Sequence, residues 1–341
     1  MTNCRPISMS IASLLILNLT GAFGLESAEA QTTALRPPPL SSHVMSYHSP
    51  SETTLLFGGS RPDRSFSNTL WAWDGETWTA LSESGPPPRI HAAMAYDSQR
   101  DRLVVQGGIA SREESFGDTW EWDGTSWKQI AVTQPGPGIR DHHAMAFDSR
   151  RGVCVLFGGQ NLENEYLAET WEWNGGSWKL ATTSGPPPRG THRLTYNQQT
   201  QRVMLVGGWG PDGQFNDTWS WDGKRWRQEE VQWQDTEMTA RGAARMAYDD
   251  ARNQLVLFGG YSDGSANDET WLLDRSTWQQ KKTTGPAIRN VHGMAYDSAR
   301  ERVVLYGGIG ANGKLDDTWE WDGENWRCII PATHGGEAKS K

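Results

Sequence analysis

The stretch 118–127, "DTWEWDGTSW", sets three tryptophans and an Asp-Gly pair into ten residues. It suits a hairpin whose Asp-Gly makes a tight turn, and it suits a shelf of aromatic rings on which a sugar could stack. The stretch comes back as "DTWSWDGKRW" at 217 and "DTWEWDGENW" at 317, and more loosely as "TLWAWDGETW" at 69, "ETWEWNGGSW" at 169 and "ETWLLDRSTW" at 269. A repeat of fixed period decides the architecture before any single residue can be given a role.

A Gly-Gly pair closes an apolar run at 58, 107, 158, 207, 259 and 307, so the copies recur at spacings of 49, 51, 49, 52 and 48. Copy two shows the parts. "HAAMAYD" (91–97) alternates small and larger residues, "LVVQGG" (103–108) is apolar and ends in glycine, "TWEWD" (119–123) has period two, and "WKQI" (127–130) is short. Alternation and β-branched or aromatic content make all four of these strands, and no segment sustains a helical period. The Tyr or Phe of the first strand precedes the first glycine of the pair by 11 residues in every copy. Asp-Gly at 74, 123, 222 and 322 and Asn-Gly at 174 supply the positive-φ residues of a tight hairpin between the third and fourth strands, while Asp274-Arg275 departs from the pattern.

A four-stranded unit of this size cannot bury both faces by itself, so the units must stack, and radial stacking gives a propeller. The expected fold is all-β: a six-bladed β-propeller of four-stranded antiparallel blades, near 36–84, 85–134, 135–184, 185–236, 237–284 and 285–330. The first and last tryptophans of each hairpin are seven residues apart in every copy, and 17 of the 19 tryptophans belong to the repeat. A side chain required in every blade is one that buries area against the neighbouring blade, which favours core over sugar shelf.

The 341 residues carry 32 Lys plus Arg against 41 Asp plus Glu, a net charge of −9 with the signs interspersed. Nucleic acid is therefore not an expected partner, because its binding needs a basic footprint. Residues 1–30 read as a secretory signal peptide, with Arg5, an apolar core over 11–19 and Ala28-Glu29-Ala30 as a small-x-small cleavage site. That core is about half the roughly 20 residues a membrane span requires, so no span is expected and the protein is placed as secreted or periplasmic. Cleavage leaves the propeller over 31–330, a polar tail over 331–341, and two cysteines. Cys154 and Cys328 fall in copies three and six, on opposite sides of the ring, so no disulfide is expected between them.

A glycine pair after an apolar strand, followed by an aromatic strand, a turn and a tryptophan, resembles the kelch repeat. The Trp-rich, Asp-Gly form is most similar to the bacterial secreted kelch-type repeats grouped with the galactose oxidase central domain, and the resemblance covers about residues 36–330. It implies that the first strand of each blade lies nearest the axis and the fourth outermost. It also implies that the blade connections and the loops after Gly-Gly open on one face, where family members bind partners.

The blade connections set Arg89, Arg140, Arg189, Arg241 and Arg289 seven residues before the Tyr or Phe of the first strand, with Leu40 at that position in blade one. Asp118, Glu169, Asp217, Glu269 and Asp317 begin the third strands, with Thr69 in blade one. Two five-fold sets of opposite charge fit ion pairs between strands or blades. The alternative turns some of these arginines toward the axis as planar forks for a carboxylate or an acidic peptide. His43, His143, His192 and His292 share one column, with His91 and His142 beside it. Their incomplete symmetry and the lack of a nearby carboxylate triad favour packing over a ring of metal ligands, and no cofactor is expected.

Residues that break the repeat say more about function, since symmetry does not explain them. Trp209 and Tyr261 directly follow their glycine pairs, and Arg61, Arg64, Glu113, Glu163, Glu165 and Lys314 lie in the corresponding loops. The insert "EEVQWQDTEMTA" (229–240) lengthens the connection to blade five and carries Trp233, an aromatic either offered to a ligand or packed on its own blade. The candidate ligand-binding set is Arg89, Arg140, Arg189, Arg241, Arg289, His143, His192, Trp209 and Tyr261.

Short, uniform loops suit a shallow interaction surface better than a catalytic pocket, which needs walls to exclude water. The expectation is a secreted or periplasmic monomer that binds a protein or carbohydrate ligand of acidic character on its loop face, with no catalytic residue assigned. The alternative is a small carbohydrate-active enzyme, for which the resemblance extends to periplasmic sialic acid mutarotases and, less well, to copper enzymes of the galactose oxidase type.

Overall fold

A computed structural model of the chain describes residues 36–111, 114–132 and 135–333. The signal-peptide reading of 1–30, Glu113 and most of the polar tail lie outside the described residues. Six sheets are each built on four antiparallel strands in sequence order; that of blade five gains a fifth strand, and a short separate hairpin lies between its second and third. Blade two is representative, with strands Ala93–Asp97, Arg102–Ile109, Ser115–Trp122 and Trp127–Ile130 in that spatial order. The first strands of successive blades face one another around the axis, and that of blade six meets that of blade one. The only helical element among the described residues is the three-residue turn Ser49–Ser51. No helix among them is long and apolar enough to cross a membrane. Cys154 is a buried free thiol and so is not bridged to Cys328.

The tryptophans of the repeated hairpin are structural, and each of its three positions has a characteristic kind of partner. The indole N–H of the first, at Trp120, Trp171, Trp219, Trp271 and Trp319, donates to the acid two residues before it, at 2.7–3.1 Å. The middle one reaches the preceding blade, where Trp173, Trp221 and Trp73 donate to Glu121, Glu172 and Glu320 at 2.9–3.1 Å. The last one also reaches back: Trp178, Trp226, Trp278, Trp326 and Trp78 donate to the threonines Thr119, Thr170, Thr218, Thr270 and Thr318. Blade one has Thr69 and Leu70 where the other blades have the acid and the threonine. The indole nitrogens left buried without a partner at Trp71 and Trp127 follow from those two departures, and that at Trp321 from Leu272, which stands in blade five where blades two and three have Glu121 and Glu172. The sugar-shelf reading of these rings is thus replaced by blade-to-blade packing.

The Gly-Gly pair has an equally local cause. Both glycines take positive φ in all six blades. A Cβ on the first would come within 2.5–2.8 Å of the carbonyl oxygen of Arg89, Arg140, Arg189, Arg241, Arg289 or Leu40 on the next blade. Only glycine permits that approach. Loops of nearly equal length nevertheless adopt two forms. In blades two, four and six the second and third strands run on past the pair, as in Arg202–Gly210 and Gly213–Trp221, whereas in blades one, three and five the second strand stops at Phe57, Phe157 and Phe258.

The 229–240 insert forms a further strand, Gln232–Gln234, parallel to the fourth strand of blade five, Thr277–Lys281. Trp233 stacks on Trp278 at 6.4 Å and meets Trp271 edge-on at 6.0 Å. It is therefore packed on its blade and not offered to a ligand.

Candidate functional site

The five column arginines are buried, each at the start of its blade. Arg289 donates two bonds of 2.8 Å to Asp317 and a further bond of 3.0 Å to the Gly307 carbonyl. Arg89 with Asp118 and Arg189 with Asp217 repeat this bidentate arrangement, while Arg140 with Glu169 and Arg241 with Glu269 make a single bond. In blades two and four the guanidinium also lies over a phenylalanine ring, Phe116 at 4.0 Å and Phe215 at 3.8 Å. The main chain of the column ties neighbours together, since the second glycine of each pair donates to the next blade's arginine carbonyl, and Gly308 donates to Leu40. The structure places these arginines in ion pairs inside their own blades, and none of the five lines the axial cavity.

His43, His143, His192 and His292 are wedged between the glycine pairs of adjacent blades, where a Cβ on Gly158 would meet His192 and one on Gly107 would meet His143. Desolvation is the main cause that pushes His43 and His143 down to about 3 and His192 and His292 well below their ordinary value. These rings are neutral wedges. His143 reaches the cavity wall and His192 does not line it. Among the described residues no group of three His, Cys, Asp or Glu could hold a metal.

One residue before the histidine column runs a second ring. Ser42, His91, His142, Thr191, Ala243 and Val291 all have positive φ, between 48° and 60°. Each donates its backbone N–H to the carbonyl of the corresponding residue in the preceding blade at 2.8–3.2 Å, and Ser42 donates to Val291, so the hydrogen bonds close on themselves around the axis. This ring forms the channel mouth on the loop face. Its side chains are not symmetric: His91 and His142 stack at 3.8 Å, with the ring of His142 hydrogen-bonded to Asp141. Desolvation, then the nearby charges of His142 and Arg193, push His91 well below its ordinary value.

Below the mouth lies a cavity of about 320 Å³ lined by the first strands of the blades. Arg193 and Arg245 line its upper end, at a position held by Val44, Ala93, Ala144 and Gly293 in the other blades. The sequence reading missed both. Their signal was available as a break in an otherwise small or apolar column, but the five-fold arginine set drew attention away from it.

Around the mouth, the residue after each glycine pair bridges to the blade connection, as Trp209 does with Gly190 and Tyr261 with Gly242. Trp209 and Tyr261 stack at 6.2 Å and 22°, and Trp209 is 39% exposed. These two candidates from adjacent blades do come together on the loop face, outside the cavity.

Residues 122–250, from blade two into blade five, match the KLHDC2/KLHL20/DRC7 Kelch-repeats domain. A tRNA wybutosine-synthesizing protein 4 of Aspergillus fumigatus is 34% identical over 131 residues, which are 36% of this chain and 12% of that protein. A dynein alpha chain of the flagellar outer arm of Chlamydomonas reinhardtii is 29% identical over 158 residues, 40% of this chain and 3% of that protein. The chain thus matches only a small part of the length of these curated relatives. The matched repeats are similar to kelch repeats, and they lie on a six-bladed propeller.

Proposed function

We propose that this protein is an interaction module that binds a partner protein across its loop face, with the channel mouth at the centre of the footprint. One observation carries the reading. Six large apolar side chains are exposed among the described residues, and four of them, Ile139, Leu162, Trp209 and Ile309, lie in the connections and loops of that single face. Large apolar side chains exposed together on one face mark an interaction surface, whereas apolar residues scattered singly over a surface do not. The kelch match supports the same choice. The flat stack of Trp209 on Tyr261 also suits a sugar ring, so glycans are the second ligand class. Export, proposed on the Ala28-Glu29-Ala30 reading, would give the module extracytoplasmic partners.

Peptide and glycan arrays probed with the wild type and with Trp209→Ala test the site. Binding is expected to weaken at least tenfold in the variant with no change in melting temperature, because this ring contributes little to the core. Full binding by Trp209→Ala would move the footprint off this face. N-terminal sequencing of the protein recovered from its producing cells is expected to begin at Gln31, and an uncleaved cytoplasmic chain would remove the export proposal.

A further inference from the structure

We propose that the upper half of the axial channel binds a short-chain aliphatic carboxylate, with its head on Arg193 and Arg245 and its tail directed down the axis. The five column arginines each have a carboxylate, and so do Arg100, Arg151, Arg252 and Arg300 next to their first strands. Arg193 and Arg245 have none among the described residues. Instead Arg193 Nε and Arg245 Nη1 donate to the same acceptor, the Ala244 carbonyl, at 2.9 and 3.2 Å. Two guanidiniums from adjacent blades therefore converge on one backbone oxygen, and Arg245 is only 8% exposed. Like charges gathered in an enclosed space are unfavourable until an anion joins them. Burial without a counter-charge also pushes the Arg193 guanidinium down to about 9. The fold does not need either arginine, because four blades close with Val, Ala or Gly at that position.

The rest of the channel specifies the anion's other end. Immediately beyond the arginines Met45, Met94, Met145, Met246 and Met294 reach the cavity with the edges of side chains packed mainly between the blades. A cavity of about 320 Å³ is within the range of small-ligand sites. Phosphate would satisfy the guanidiniums and leave these apolar walls in contact with water, whereas an alkyl carboxylate covers both. An acidic side chain entering through the mouth would bring its stem from the opposite direction and leave the lower channel to water. Asp250, the carboxylate lining the same cavity, lies five residues after Arg245, just past the end of the strand Arg245–Asp249, roughly 16 Å away at strand rise. It does not neutralise the arginines.

Isothermal titration of the full chain with sodium acetate, butyrate, hexanoate and phosphate, at one ionic strength held with sodium chloride, tests the site. Affinity is expected to rise about fourfold per methylene from acetate upward, with phosphate weaker than hexanoate. Arg193→Met and Arg245→Met are each expected to lose at least tenfold in hexanoate affinity. Both variants should melt no lower than the wild type without ligand, since each removes an uncompensated buried cation; that separates loss of the site from loss of the fold. Affinity independent of chain length, phosphate or a glutamate peptide binding as tightly as hexanoate, or unchanged hexanoate binding in the double variant would overturn the proposal.

Discussion

The worth of a column arginine depends on how well its carboxylate could be hydrated if the arginine were removed. Asp317 is 7% exposed, and its other partner is the Trp319 indole at 2.7 Å, so Arg289→Ala would strand a nearly dry carboxylate. Breaking a buried pair from one side costs about 3–5 kcal/mol. Glu169 is 35% exposed, so water can replace Arg140, and the loss there should fall to roughly 1–2 kcal/mol. Chemical denaturation of the two alanine variants should therefore rank Arg289→Ala well below Arg140→Ala in stability. Equal losses would mean that the carbonyl bonds to the glycine pair, common to both, carry the energy instead. Either result bears on stability alone; ligand contacts are to be sought first at Arg193, Arg245 and Trp209.

At the scale of strands and turns, most of the fold was legible because the repeat states it six times. Gly-Gly, the Asp-Gly turn and the Trp spacing each mark a backbone position or a packing contact that every blade must have. The two forms of the loop after Gly-Gly were not legible, since loops differing by a single residue in length carry no signal of whether strands continue through them. Trp233 was ambiguous for a related reason: its stacking on Trp278 joins positions 45 apart through a strand that no other blade possesses. The candidate site was legible only in its aromatic part, because Trp209 and Tyr261 stand out as singular, whereas Arg193 and Arg245 were hidden among 32 basic residues. The mouth ring was invisible, as left-handed backbone at six non-glycine residues has no compositional mark. Its strain is testable at Val291, a β-branched residue at φ 48°. Asn tolerates that conformation far better, so Val291→Asn should raise stability by about 0.5–1 kcal/mol in a denaturant melt. A lower stability would show that the Val291 side chain, and not its backbone bond to Ala243, holds the mouth together.

The whole ring is closed by repeating at one seam what every other interface does. Trp73 and Trp78 of blade one donate to Glu320 and Thr318 of blade six, Gly308 donates to Leu40, and Arg36 pairs with Asp316 at 3.2 Å. No strand is exchanged among the described residues. Four of the interfaces are also wedged by a neutral histidine, and this gives the molecule a predictable weakness to acid. His43 and His143 hold folded values of about 3, and His192 and His292 lie well below normal, against about 6.5 in an unfolded chain. Below 6.5 the unfolded chain takes up protons that the folded ring refuses, so stability that is complete above that pH falls steadily toward pH 3. Each histidine should contribute a slope of about 1.4 kcal/mol per pH unit. Asp250, raised to about 6 chiefly by desolvation, works in the opposite sense below that pH and offsets one of the four, while His91 at the mouth, also held well below its ordinary value, adds to the loss. Unfolding free energies at pH 7, 6 and 5 should therefore drop steeply between 6 and 5. His292→Gln, which removes one titrating wedge that feels Arg289 and His43 nearby, should flatten that slope by about the share of one histidine even if it lowers stability at pH 7. A stability independent of pH across this range would mean that water reaches the wedges and that the blades part more readily than their packing implies.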